Sequence, residues 1–173
     1  MIKDNDGKNC PWWYGFFPYA RPGRDGSVPL AIPREGTENV KLSLMAHPRE
    51  DDLRRFPVGF IFRLTHTRSG MWMAGKWDEG LEEPMLRRLR WLANNNAKFG
   101  VEISRSPVKM RTAEGSEYLS WRLLGATLVH PAKARYPEAW VRPVEIWPEL
   151  IDVGMERVDL GLMGALMEKE GAA

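Results

Sequence analysis

Apolar and polar residues alternate along NVKLSLMAHP (39–48). Val40, Leu42, Leu44 and Ala46 point one way; Lys41, Ser43, Met45 and His47 point the other. That period of two predicts a half-buried strand, closed by Pro48. In VGFIFRLTHTRSGMWMAGKW (58–77), Val58, Phe60, Phe62, Leu64 and His66 share a face. Thr67-Arg68-Ser69-Gly70 supplies a turn, so the stretch reads as a hairpin with Met71 to Trp77 returning. Large residues on both faces predict cover on both sides.

The period changes in LEEPMLRRLRWLANNNAKFG (81–100). Met85, Leu89, Leu92 and Ala93, joined by Leu86, form one stripe at helical spacing. Pro84 suits a first helical turn, Glu82 and Glu83 complement its N-terminal dipole, and Asn94 to Asn96 with Gly100 end it. VEISRS (101–106) is expected as a short strand, followed after Pro107 by a second extended piece, VKMRT (108–112). YLSWRLLGATLVHP (118–131) reads as a long strand, apolar on both faces toward its end and hence central.

Three stretches resist a regular reading. Residues 1–9 are expected as a short mobile lead. Residues 10–36 hold Pro11, Pro18, Pro22, Pro29 and Pro33 among several glycines, so they read as an extended or turning arm. PAKARYPEAWVRPVEIWPE (131–149) holds four prolines and no steady period, and is expected to wrap the surface. A last helix is expected over about 155–169, with two apolar stripes. Val158, Leu162 and Leu166 form one; Leu160, Met163 and Met167 form the other. These elements predict a single α+β domain over 37–173, preceded by the arm. Its mainly antiparallel sheet has five or six strands, with one amphipathic helix packed on a face and a C-terminal helix.

Composition adds limits. With 28% charged residues and 43% in the AVILMFWYC group, the chain belongs among globular rather than disordered proteins. Cys10 is the only cysteine, so no internal disulfide and no thiolate metal site can form, and a reducing, cytoplasmic setting is expected. MIKDNDGKNC lacks the apolar core of a signal peptide, and no apolar run is long enough to span a membrane. Net charge is only +2, but it is uneven. Residues 1–137 carry 22 Lys and Arg against 15 Asp and Glu, and residues 138–173 carry 3 against 8. A basic body with an acidic end is the one charge feature that bears on function.

Three candidate chemistries follow. The first is nucleic-acid binding. Seven cations, Arg87, Arg88, Arg90, Lys98, Arg105, Lys109 and Arg111, lie between 87 and 111 with only Glu102 to oppose them. Guanidinium groups fork onto phosphate oxygens, and Trp91 beside them is placed to stack on a base. The second is partner binding, through the arm or the last helix. In CPWWYGFFPY, Trp12, Trp13, Tyr14, Phe16, Phe17 and Tyr19 fall within eight positions. In an extended chain, Trp12, Tyr14 and Phe16 face opposite to Trp13 and Phe17, so both faces need cover. The covers open to that surface are the protein's own loops, a protein partner or second copy, or stacked bases. The third is a histidine-dependent hydrolase or nuclease, because His47, His66 and His130 each end a predicted strand. No two of them share a helical i, i+4 spacing, and no motif for a nucleotide, a catalytic triad or a zinc site is present. No metal, cofactor or catalytic residue is therefore assigned, and the leading expectation is a non-enzymatic nucleic-acid-binding accessory protein.

Overall fold

A computed structural model describes residues 1–19, 21–26, 42–93, 96–111 and 113–147. The α+β class holds. Among the described residues there are seven strands in one sheet, rather than five or six, and one α-helix. The expected helix at 155–169 lies outside the described residues.

The strands are β1 (Trp12–Pro18), β2 (Leu42–Ala46), β3 (Phe56–His66), β4 (Gly70–Trp77), β5 (Gly100–Arg111), β6 (Glu117–Val129) and β7 (Trp140–Val144). Their order across the sheet is β5-β6-β2-β3-β4-β1-β7. All neighbours run antiparallel except β2 and β6, which are parallel. The sheet curls until its two edges meet. Phe99, just ahead of β5, exchanges both backbone hydrogen bonds with Val141 of β7, at 2.8 and 3.0 Å. The result is a barrel held shut at one point of its seam.

Two edge strands differ from expectation. Pro107 does not divide its segment, because among the described strands β5 has a single neighbour at that level and an edge strand tolerates a proline. The proline-rich segment after residue 131 contains β7, a short edge strand bearing Pro143. The turn between β3 and β4 forms where expected, with Thr67 N–H and Thr67 Oγ1 both donating to the Gly70 carbonyl at 2.9 Å. Residues 2–10 make a tight turn of their own, with Asp4 Oδ1 accepting from Asp6 N and Lys8 N and with Ile2 buried.

The helix α1 (Glu83–Leu92) buries Leu86, Leu89 and Leu92, with Met85 and Ala93 partly buried beside them. It lies across the end of the barrel where β2, β4 and β6 finish, rather than on a sheet face. Arg88 Nε donates to the His47 carbonyl just past β2, Trp91 packs on His130 just past β6, and Leu86 lines a cavity with Trp77 of β4. The barrel interior is filled by Trp13, Phe17, Leu44, Ile61, Leu64, Met71, Met73, Val101, Leu123 and Leu128. Trp13 fits because Gly75 stands opposite it. A Cβ at Gly75 would come 2.6 Å from Trp13 Cζ2 and would collide with the Phe60 carbonyl oxygen.

Candidate functional site

The arm's aromatic run is an interior strand, hydrogen-bonded to β4 on one side and β7 on the other. Strand alternation then divides its rings. Trp13 and Phe17 are 0% exposed in the core, so neither is available to a partner in this fold. Trp12, Tyr14 and Phe16 stand on the outer face, half-buried. Register gives them neighbours. Across from them lie Lys76, Ala74 and Trp72 on β4, and Val144, Arg142 and Trp140 on β7.

The outer rings form a chain of four and a separate pair. Phe16 lies 4.9 Å from Trp72, Trp72 lies 5.9 Å from Trp140, and Trp140 lies 5.0 Å from Tyr14. Trp147 meets Trp12 edge-on at 5.0 Å. Such pairs add about 0.5–1.5 kcal/mol each beyond area burial, so the rings hold one another in place. Four cations border them. Lys76 stands 5.6 Å from the Trp12 ring and Lys98 5.1 Å from Trp140; Arg142 stands 5.8 Å from Trp140 and Arg63 5.1 Å from Trp147. Two donors on this face, Trp72 Nε1 and Arg142 Nε, are shielded from solvent and have no acceptor among the described residues. A face of flat rings bordered by cations suits a ligand that brings rings and negative charge together.

The cations singled out in the sequence do not form one patch. Arg87, Arg88 and Arg90 lie on α1 at the closed end of the barrel. Arg87 and Arg90 share the Glu83 carboxylate at 3.8 and 3.1 Å, and the side chains of Arg87, Arg90 and Glu83 stay more than half exposed. Exposed pairs of this kind contribute about 0–1 kcal/mol and yield readily to a competing anion. Arg88 is part-buried, its guanidinium 4.5 Å from the Trp91 ring, and burial lowers it from its ordinary value. Trp91 remains 48% exposed, with His130 packed at 4.9 Å. Lys98 belongs instead to the outer aromatic face. Arg105, Lys109 and Arg111 lie along β5, whose far end is roughly 35 Å from its start at strand rise. Leu160, Met163 and Met167 lie outside the described residues.

The histidines separate. His47 and His130 follow the parallel strands β2 and β6 and so share the helix-covered end, whereas His66 ends β3 at the opposite end. His47 Nδ1 bonds the Arg54 carbonyl at 2.9 Å, and His130 Nδ1 accepts from Ala132 N at 3.2 Å. His66 is buried, and its Nδ1 shares a 2.5 Å hydrogen bond with Tyr19 Oη. Desolvation pushes the Tyr19 phenol well above its ordinary value, so it stays protonated there. No group of three or more His, Cys, Asp or Glu among the described residues is placed to hold a metal ion. Burial raises the Cys10 thiol, which reduces its thiolate fraction and its reactivity.

Sequence reading placed Trp12, Tyr14 and Phe16 on one face but missed the platform they share with Trp72, Trp140 and Trp147. Its rings come from residues 12–16, 72, 140 and 147, and pairing of β1 with both β4 and β7 assembles them. The available signal was Trp140 and Trp147 in a segment lacking period. Compared with known proteins, the chain matches no family model, no curated protein and no solved structure. No helix among the described residues is long and apolar enough to cross a membrane.

Proposed function

We propose that this is a non-enzymatic, nucleic-acid-binding accessory protein that takes single strands on the outer face of β4, β1 and β7. The observation that carries the reading is the interleaving of aromatic rings with Lys76, Lys98, Arg142 and Arg63 on one sheet face. Rings give sequence-tolerant stacking, and cations meet phosphate. The exposed Arg87 and Arg90 on α1 add longer-range attraction and a salt-dependent encounter. A cytoplasmic setting, where the single thiol stays reduced, is part of the same proposal.

Intrinsic tryptophan fluorescence during titration with single- and double-stranded oligonucleotides at two ionic strengths tests it. Quenching by single strands, weakening steeply as salt rises, is the expected result. The absence of saturable quenching by any oligonucleotide at low salt removes the reading.

A second reading is a protein-interaction subunit that uses Trp12 and Phe16 on the same half-buried face. The flat ring pairs of Trp12 with Trp147 and of Phe16 with Trp72 favour it, since aromatic area of this kind is what a protein partner covers. Light scattering separates the two: a monodisperse monomer that binds oligonucleotides supports the first and counts against the second.

A further inference from the structure

The seam of the barrel opens away from its single closing bridge. Beyond Phe99 and Val141 no described strand pairs with β5 on that side, and Arg135 and Tyr136 border the gap. What remains is a cleft of about 130 Å³ lined by Phe17, Glu102, Ile103, Arg105, Arg135 and Tyr136. Its floor is aromatic, with Phe17 and Tyr136 edge to face at 5.0 Å.

The cations at this cleft are placed by backbone. Val101, Ile103 and Arg105 fall on the inner face of β5, opposite Leu128, Ala126 and Leu123, with a register shift between Ser104 and Arg105. The face that is apolar deeper in the barrel therefore becomes cationic where the seam opens. Arg135 is tied at its backbone on both sides: its N–H donates to Glu102 Oε1 at 3.4 Å, and its carbonyl accepts from Arg24 N at 2.8 Å. Its Nε meets Asp25 Oδ2 at 3.3 Å, with both side chains about half exposed, a contact that water and competing anions displace. Arg105 pairs with no carboxylate among the described residues. Among the described residues Glu102 lines the cleft, and Asp25 approaches it through Arg135.

We propose that the seam cleft is an oxyanion site that holds one phosphate group between the guanidinium forks of Arg105 and Arg135. Planar forks match phosphate oxygens two at a time, and the aromatic floor keeps water from one side. A phosphate displaces Asp25 from Arg135, while Glu102 holds the Arg135 backbone and limits affinity by like charge. The site rests on the nucleic-acid reading only for the source of the phosphate, which is the end of a strand or an internal diester.

Calorimetric titration with inorganic phosphate tests the site without any oligonucleotide. Saturable binding in the millimolar range is expected, and Arg105→Gln weakens it by about ten- to a hundredfold, the loss of charge-assisted hydrogen bonds. Glu102→Gln keeps the acceptor for Arg135, removes the negative charge, and tightens binding severalfold. Arg105 is exposed, so its variant folds, and an unchanged melting temperature verifies this. Oligonucleotides with and without a 5′-phosphate then assign the source. A preference for the phosphorylated end that Arg105→Gln abolishes identifies a terminal phosphate. Equal weakening of both by that variant identifies a diester. The absence of phosphate binding by the unaltered protein, or binding that Arg105→Gln leaves unchanged, overturns the site. Phosphate binding without oligonucleotide binding overturns only the single-strand reading.

Discussion

Trp13 and Trp12 are adjacent in the chain and chemically identical, yet they do opposite work. Trp13 is sealed against Gly75 and lies 6.4 Å from Trp77 in the core. Trp12 stands on the outer face, between Lys76 and Trp147. Phe17 and Phe16 repeat the contrast: Phe17 packs on Tyr136 inside, and Phe16 meets Trp72 outside. One aromatic run thus supplies both the core that holds the barrel together and the surface proposed to bind, because a strand sends alternate side chains to opposite faces.

The sharpest way to break that comparison is to truncate each ring. Trp13→Ala should cost about 3–5 kcal/mol in denaturant unfolding, the usual loss for a buried tryptophan. Trp12→Ala and Phe16→Ala should cost about 1 kcal/mol each, since they forfeit ring pairs on a half-buried face. Equal losses inside and outside would show that the outer face is core rather than platform.

Gly75→Ala should destabilise by about 1–3 kcal/mol, because its methyl collides with backbone that has no room to move. A neutral outcome would mean that Trp13 is not seated against that glycine. On the outer face, Trp140→Ala should cost about 1–3 kcal/mol in oligonucleotide affinity, the worth of one stacked base, while Trp13→Ala, wherever it stays folded, should leave affinity per folded molecule unchanged.

A smaller effect concerns the buried pair at the opposite end from α1. Tyr19→Phe removes the hydrogen bond to His66 and should cost about 1 kcal/mol. It also changes alkaline behaviour. The folded phenol titrates well above 10.0, whereas the unfolded one ionises near its ordinary value. Above that pH the unfolded chain has lost a proton that the folded chain keeps. Stability is therefore fully present below about pH 10 and falls as pH rises further. Unfolding curves of the Tyr19→Phe protein should lack that alkaline decline.

The smallest effect is expected for Arg87→Ala with Arg90→Ala. The two share one exposed carboxylate, so stability should change by less than about 1 kcal/mol. Their loss should instead flatten the salt dependence of oligonucleotide binding, and an unchanged slope would take the helix out of the interface.

Most elements were legible along the chain because their signals are local. The β3–β4 hairpin follows from alternation and from the Thr67–Gly70 turn. The helix follows from Pro84 and the leucine spacing, although Leu86 rather than Met85 proved fully buried. β7 was hidden because Pro143 and its short length mimic a loop, and only pairing with β1 makes it a strand. The alternation of β1 was legible, but its place inside the sheet was not, because the prolines and glycines around it fit a surface arm equally well. The basic run between 87 and 111 looked continuous because sequence distance is blind to direction. α1 ends near one end of the barrel and β5 carries the remaining cations toward the other.

By itself the sequence determined the α+β class, the places where the chain turns, and which rings of β1 share a face. Those are consequences of bond geometry and of a period of two or 3.6, and they need only neighbours in the chain. In β3 a register shift between Ile61 and Arg63 buries Ile61 and leaves Phe60 and Phe62 half-buried, out of phase with Leu64 and His66 and against the simple alternation. The tertiary structure alone decided that β1 lies between β4 and β7, that Trp72 and Trp140 join Trp12 and Phe16, and that the seam opens beside Arg105 and Arg135. Those outcomes depend on which distant strands share hydrogen bonds. Pairing between residues more than fifty positions apart is settled by the common burial of a core, which no local pattern encodes.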